Sequence, residues 1–208
     1  MRAWYCADGS TSNTLPDSWS VAADQDETGN GYAESDLLFT APVEVKFGST
    51  ANLIFYHQTA RIIVNIKKTE GIDSADQIQS VKIGDNNLAL SGTYTAPSGT
   101  GVTIGTWLPG PMDKTITPFK LSQPTDPSKY IASYTALVIP QNMDGKRLIA
   151  IDTELGTHYY TPKEGAAELE AGKVHTYNIT IDSKEVTIEI PGSIDWGEGE
   201  SGSGSIEL

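Results

Sequence analysis

Residues Leu53–Ile66 read LIFYHQTARIIVNI, and the parity of their apolar positions decides the fold. Leu53, Phe55 and His57 share one face of an extended chain, whereas Ala60, Ile62, Val64 and Ile66 take the opposite parity. A one-residue slip moves every side chain of a strand to its other face. Both sets therefore reach a core only if the chain bulges or turns at Gln58-Thr59. The stretch predicts a strand over Asn52–Tyr56, a crossing, and a second strand over Ile62–Ile66. His57 reads as a packed, hydrogen-bonded histidine pinning that crossing, in preference to a catalytic base.

Outward from this stretch the same pattern recurs. Short runs rich in Val, Ile, Tyr and Thr stand between Gly, Pro, Asn and Asp, which is the all-β signature. Strands are expected over Val43–Phe47, Ile78–Ile83, Val102–Trp107, Tyr130–Ile139, Arg147–Ile151, Val174–Ile181 and Val186–Ile190. Asn86-Asn87, Asp144-Gly145, Ala171-Gly172 and Asp182-Ser183 read as turns. Thr161–Ala171 is the best helical candidate, although Pro162 and Gly165 interrupt it. Residues 7–34 read as a long loop and 197–205 as a flexible tail. With 20 Gly and 11 Pro in 208 residues, the expected class is an antiparallel β-sandwich.

The 14 Lys and Arg stand against 27 Asp and Glu, a formal charge of −13. Such a surface repels phosphate backbones and anionic lipid, so neither nucleic acid nor a membrane is an expected partner. No run reaches the roughly 18 apolar residues of a membrane span. The opening MRAWYCADGS is not read as a signal peptide, because no apolar run follows its arginine. Cys6, the one cysteine, excludes an internal disulfide and reads as a small apolar residue on a strand.

Catalytic and metal signatures are absent from the sequence. His57, His158 and His175 fit neither HxH nor HExxH spacing, and no GxSxG occurs. The Asp24–Asp36 segment DQDETGNGYAESD lacks a regular calcium-loop spacing and reads as a solvated acidic loop. GEGESGSGS at 197–205 is no phosphate cradle, since no helix follows it. No cofactor and no enzymatic activity are expected.

Several pieces together resemble the fimbrillin-like proteins of Bacteroidetes. They are the acidic DQDETGNGYAESDLLFT, LIFYHQTARIIVNI, YTALVIPQ at Tyr134–Gln141, LIAI at Leu148–Ile151, the run from Leu169 to Ile181, and IDWGEGESGSG from Ile194. The resemblance implies transthyretin-like β-sandwich domains. Residues 1–45 would then be a remnant of the N-terminal domain, 46–196 a complete C-terminal sandwich, and 197–208 a flexible acidic tail. It also implies secretion as a lipoprotein, a place in a type V pilus on the outer membrane, and assembly with other fimbrial subunits by strand exchange. The alternating Val186, Ile188 and Ile190 would form a hairpin with the preceding strand, and Asp73-Ser74-Ala75 resembles an O-glycosylation sequon at Ser74.

A rival expectation is a carbohydrate-binding surface module that does not polymerise. Trp107, before the rigid Leu108-Pro109-Gly110-Pro111 bend, and Tyr159-Tyr160 would supply aromatic contacts for a glycan or a protein partner.

Overall fold

β-Branched and aromatic residues pair into short strands throughout the chain, as the spacing of its turn residues dictates. The computed structural model describes residues 2–9, 14–26, 28–44, 46, 48, 50, 52–181 and 186–196. Part of Val43–Phe47 and all of Asp182-Ser183 fall outside them, as does everything from residue 197. In chain order the first elements are β1 (Trp4–Cys6), β2 (Ser18–Ser20), a one-turn helix α1 (Gly31–Glu34), β3 (Leu37–Thr40), β4 (Phe55–His57) and β5 (Ala60–Lys67). A 3-10 turn at Ala75–Gln77 precedes β6 (Ile78–Leu88), β7 (Ser91–Thr95), β8 (Thr106–Pro109), β9 (Lys114–Ile116) and β10 (Phe119–Lys120). Then come β11 (Tyr130–Val138), β12 (Gln141–Asn142), β13 (Ile149–Thr153), β14 (Gly156–Tyr160) and β15 (Glu168–Leu169). The last are β16 (Lys173–Ile181), β17 (Val186–Glu189) and β18 (Ser193–Asp195).

The largest sheet runs β10-β11-β5-β16-β17, with β18 also on β16. A second sheet runs β14-β13-β6-β9, and three smaller ones run β1-β3-β4, β2-β7-β8 and β12-β15. Ile62, Val64 and Ile66 of β5 and Tyr177 and Ile179 of β16 share one core with Val81, Ile83, Ile149 and Ile151 of the second sheet. Tyr160 and Tyr177, with ring centroids 5.5 Å apart, pack across that core. Burying Ile62, Val64 and Ile66 completely contributes roughly 2 kcal/mol each. The all-β, sheet-on-sheet class thus stands. Nearly every pairing is antiparallel, but β5 and β16 run parallel, with Val174 beside Arg61 and Ile179 beside Ile66.

The chain passes from one sheet to another at the opening stretch. His57 ends β4, paired with Leu38, and Ala60 begins β5, paired with Val138. Gln58 and Thr59 between them are completely buried.

Four local expectations are corrected. Thr161–Ala171 is not helical: Gly165 is left-handed at φ 87° and Leu169 of β15 pairs with Gln141, so tertiary pairing overrides the weak helical pattern. Asn86-Asn87 does not reverse the chain, since β6 continues to Leu88. Asp85 and Asn86 adopt positive φ of 37° and 61°, which short polar side chains tolerate, and the register to β9 shifts there. Residues 7–34 are more than a loop, because they hold β2, with Trp19 buried, and α1. The strands expected over Asn52–Tyr56 and Val102–Trp107 are regular only at Phe55–His57 and Thr106–Pro109.

Candidate interaction surface at the C-terminal edge

Strand β16 is occupied on one side by β5 along Val174–Ile179. Its other side takes both C-terminal strands: β17 pairs Asn178–Ile181 with Val186–Glu189, and β18 pairs Lys173–His175 with Ser193–Asp195. The break between them is Ile190-Pro191-Gly192, where proline cannot donate to a ladder and Gly192 takes φ 95°. Residues Val186–Asp195 therefore form an interrupted edge strand. Ile188 packs partly against the core, while Ile194 is 65% exposed. Ion pairs of Lys67 with Glu189, at 2.8 Å, and of Lys173 with Asp195 lie on its surface. Exposed pairs of this kind contribute about 0–1 kcal/mol. The segment is held mainly by its backbone.

Trp196 ends the segment differently. Its ring stacks on the His57 imidazole with centroids 3.5 Å apart and planes 4° from parallel. Arg61 sits over the indole at 5.6 Å, and the main-chain N–H of Trp196 donates to the Gly172 carbonyl at 2.8 Å. His57 Nδ1 lies 2.9 Å from the Asp36 carboxylate, so both its face and its edge are occupied. Among the described contacts the imidazole meets the Trp196 ring and the Asp36 carboxylate.

The other anticipated residues are scattered. Trp107 is half-buried against Tyr94, at 4.8 Å between centroids, and its indole N–H donates to the Gln58 carbonyl. Tyr160 points to the core beside Tyr177, whereas Tyr159, on the other face of β14, is 45% exposed. The Arg147 guanidinium lies 4.0 Å above the Tyr159 ring and pairs with Asp85. Ser74 caps the 3-10 turn, its Oγ accepting from the Asp76 N–H while Gln77 reaches back to the Ser74 N–H. Among the described residues no group of three or more His, Cys, Asp or Glu gathers as a metal site, and no helix is long and apolar enough to cross a membrane.

Three buried glutamines carry a role that periodicity does not reveal. Gln25 accepts from the Leu137 N–H and donates to the Leu137 carbonyl, both at 2.8 Å, so its amide occupies a ladder position on β11. Gln141 does the same to Ala89, accepting from its N–H at 2.8 Å and donating to its carbonyl at 3.1 Å, and also donates to the Ile139 carbonyl. Gln58 donates to the Tyr56 and Thr103 carbonyls and accepts from the Tyr94 hydroxyl and the Gly105 N–H. Each replaces backbone pairing where a strand stops, as buried polar groups require. A glutamine just after a strand in YHQTA and one opening a strand in VIPQ carried a signal, whereas Gln25 in DQDET lies outside every strand and carried none.

Burial also sets the electrostatics inside. Desolvation pushes the Tyr134 hydroxyl up to about 12 and lowers His175, whose Nε2 accepts from the Glu170 N–H. On the open edge, the Lys67 ammonium beside Glu189 holds that carboxyl below its usual range.

Residues 1–196 match the model of fimbrillin-like proteins. Two solved structures share the fold: a proposed cell adhesion protein of Bacteroides uniformis (TM-score 0.67, 19% identity, 94% of this chain and 72% of that one) and another of Bacteroides ovatus (TM-score 0.66, 21% identity, 96% and 68%). The C-terminally truncated tip fimbrial protein Mfa3 of Porphyromonas gingivalis is similar at a TM-score of 0.50 and 10% identity, over 77% of this chain and 63% of that one. No curated protein matched the sequence.

Proposed function

The chain belongs to the fimbrillin-like family, and on that premise we propose that it is a structural or adhesive subunit of a bacterial surface fimbria, a type V pilus, joined to its neighbours by β-strand addition. Its role is mechanical and not catalytic. Its place is the cell surface, on a fimbria attached to the outer membrane, and its partners are other fimbrial subunits. The likeness to proposed cell adhesion proteins and to a tip fimbrial protein supports this reading. The observation that carries it is the edge segment Val186–Asp195. A strand held chiefly by main-chain hydrogen bonds is one that another subunit's strand can replace at little cost, because the bonds are remade one for one.

Size-exclusion chromatography with light scattering tests this, across concentration and before and after limited trypsin treatment. Assemblies of several chains that keep full strand content are expected. A monomer under every condition would sink the strand-addition reading. Of the three aromatics the rival sugar-binding reading invokes, Tyr159 is the exposed ring, since Trp107 and Tyr160 pack against the core. A glycan array on the wild type and Tyr159→Ala separates it from the first.

A further inference from the structure

The strip Ser193–Trp196 has two kinds of hold on its own chain. Ser193, Ile194 and Asp195 are exposed, so their attachment is the short ladder to Lys173–His175, a surface ion pair and a long Ser193 Oγ–Glu170 hydrogen bond at 3.4 Å. Trp196 adds an aromatic stack with a rigid seat. His57 is fixed by its ladder pairing to Leu38 and by the Asp36 carboxylate, and Arg61 approaches the indole from β5. Three separate stretches of chain thus converge on one terminal ring. The turn beneath is equally constrained: the Gly172 N–H donates to the Thr59 carbonyl, and Gly172, at φ 69°, has Ile104 and the His57 carbonyl packed where a Cβ would stand.

We propose that the Trp196–His57 stack is a latch. It holds residues 193–196 against β16 and sets how often the Lys173–His175 edge lies open to a strand of another copy. The latch rests on the strand-addition reading for its purpose, but its existence is measurable without any assembly. While it is closed the edge is filled in cis. When the indole lifts, an exposed three-residue ladder and surface polar contacts remain to resist its loss, and edges so weakly covered accept new strands.

Native-state amide hydrogen exchange on the monomeric chain, on Trp196→Ala and on Trp196→Phe tests the latch. Loss of one aromatic pair predicts, in Trp196→Ala, about tenfold faster exchange of those amides of Lys173–His175 and Ser193–Asp195 that are paired between β16 and the strip. Amides paired between Asn178–Ile181 and β17 should be unchanged, and Trp196→Phe should restore most of the protection. Unaltered exchange at Lys173–His175, or equal acceleration along all of β16, overturns the latch. Light scattering on the same samples separates the two ideas. Trp196→Ala that exchanges faster at the strip yet stays monomeric at every concentration keeps the latch and refutes strand addition.

Discussion

Replacing Gln141 by leucine should cost about 3 kcal/mol, because three buried hydrogen bonds to the main chain are lost. The side chain is 2% exposed and makes three hydrogen bonds, all to backbone atoms: the Ala89 N–H, the Ala89 carbonyl and the Ile139 carbonyl. At roughly 1 kcal/mol net each they sum to about 3 kcal/mol. Leucine fills similar volume and gains about 1–2 kcal/mol of apolar burial. Stranding the Ala89 N–H in a buried site costs about 1–3 kcal/mol, which offsets that gain. In urea, with a slope of about 2 kcal/mol per M, the unfolding midpoint should fall by about 1.5 M at unchanged slope. Gln123→Leu, at an exposed position, serves as the control and should shift stability by less than about 0.5 kcal/mol. If Gln141→Leu behaves like Gln123→Leu, the claim that glutamine amides substitute for missing strand pairing is wrong.

Other outcomes follow from particular contacts. His175 is lowered by burial and is neutral where it accepts from Glu170. The unfolded chain then takes up the proton first. Its contribution is fully present above the ordinary value of 6.5 and is lost as pH falls through the lowered value. Subtracting the pH-stability curve of His175→Gln, by thermal melts between pH 7.5 and about 4.5, should isolate this loss. Gly31→Ala would place a Cβ against the Asp24 carbonyl and should cost about 2–4 kcal/mol or unseat α1, read from near-ultraviolet dichroism. Ser74→Ala removes the cap of the 3-10 turn and should lower stability by about 1 kcal/mol in the same urea assay, whereas Ser74→Asp should retain most of it.

Much of the main sheet was legible because its strands obey period two. Ala60, Ile62, Val64 and Ile66 are all completely buried, as their shared parity requires, and the crossing at Gln58-Thr59 lies where the parity breaks. The missed strands are short and depend on distant partners. β2 has three residues and owes its form to pairing with β7, some 70 residues later, which no local pattern encodes. The acidic composition of Asp24–Asp36 hid its packing, because Gln25 and Tyr32 carry it: Gln25 docks on Leu137, and Tyr32 packs against Phe119. The Trp196–His57 contact was equally illegible. Both residues stand in quoted motifs, but only the parallel placement of β16 beside β5 brings the two ends together.

That parallel placement has a consequence for how the molecule comes into being. β5 lies in the middle of its sheet, between β11 and β16, and its register with β16 joins residues more than a hundred positions apart in sequence, Asn65 with Asn178 among them. Parallel strands cannot be joined by a hairpin, and contacts so distant in sequence slow folding because a long loop must close before they form. The apolar stripe of β5 therefore waits, half paired, until Lys173–Ile181 has been synthesised. During that interval the nascent protein displays the kind of open apolar edge that aggregates. Shortening the chain before residue 173 leaves β5 without the partner that Lys173–Ile181 supplies, so it should abolish soluble expression, not merely weaken the fold.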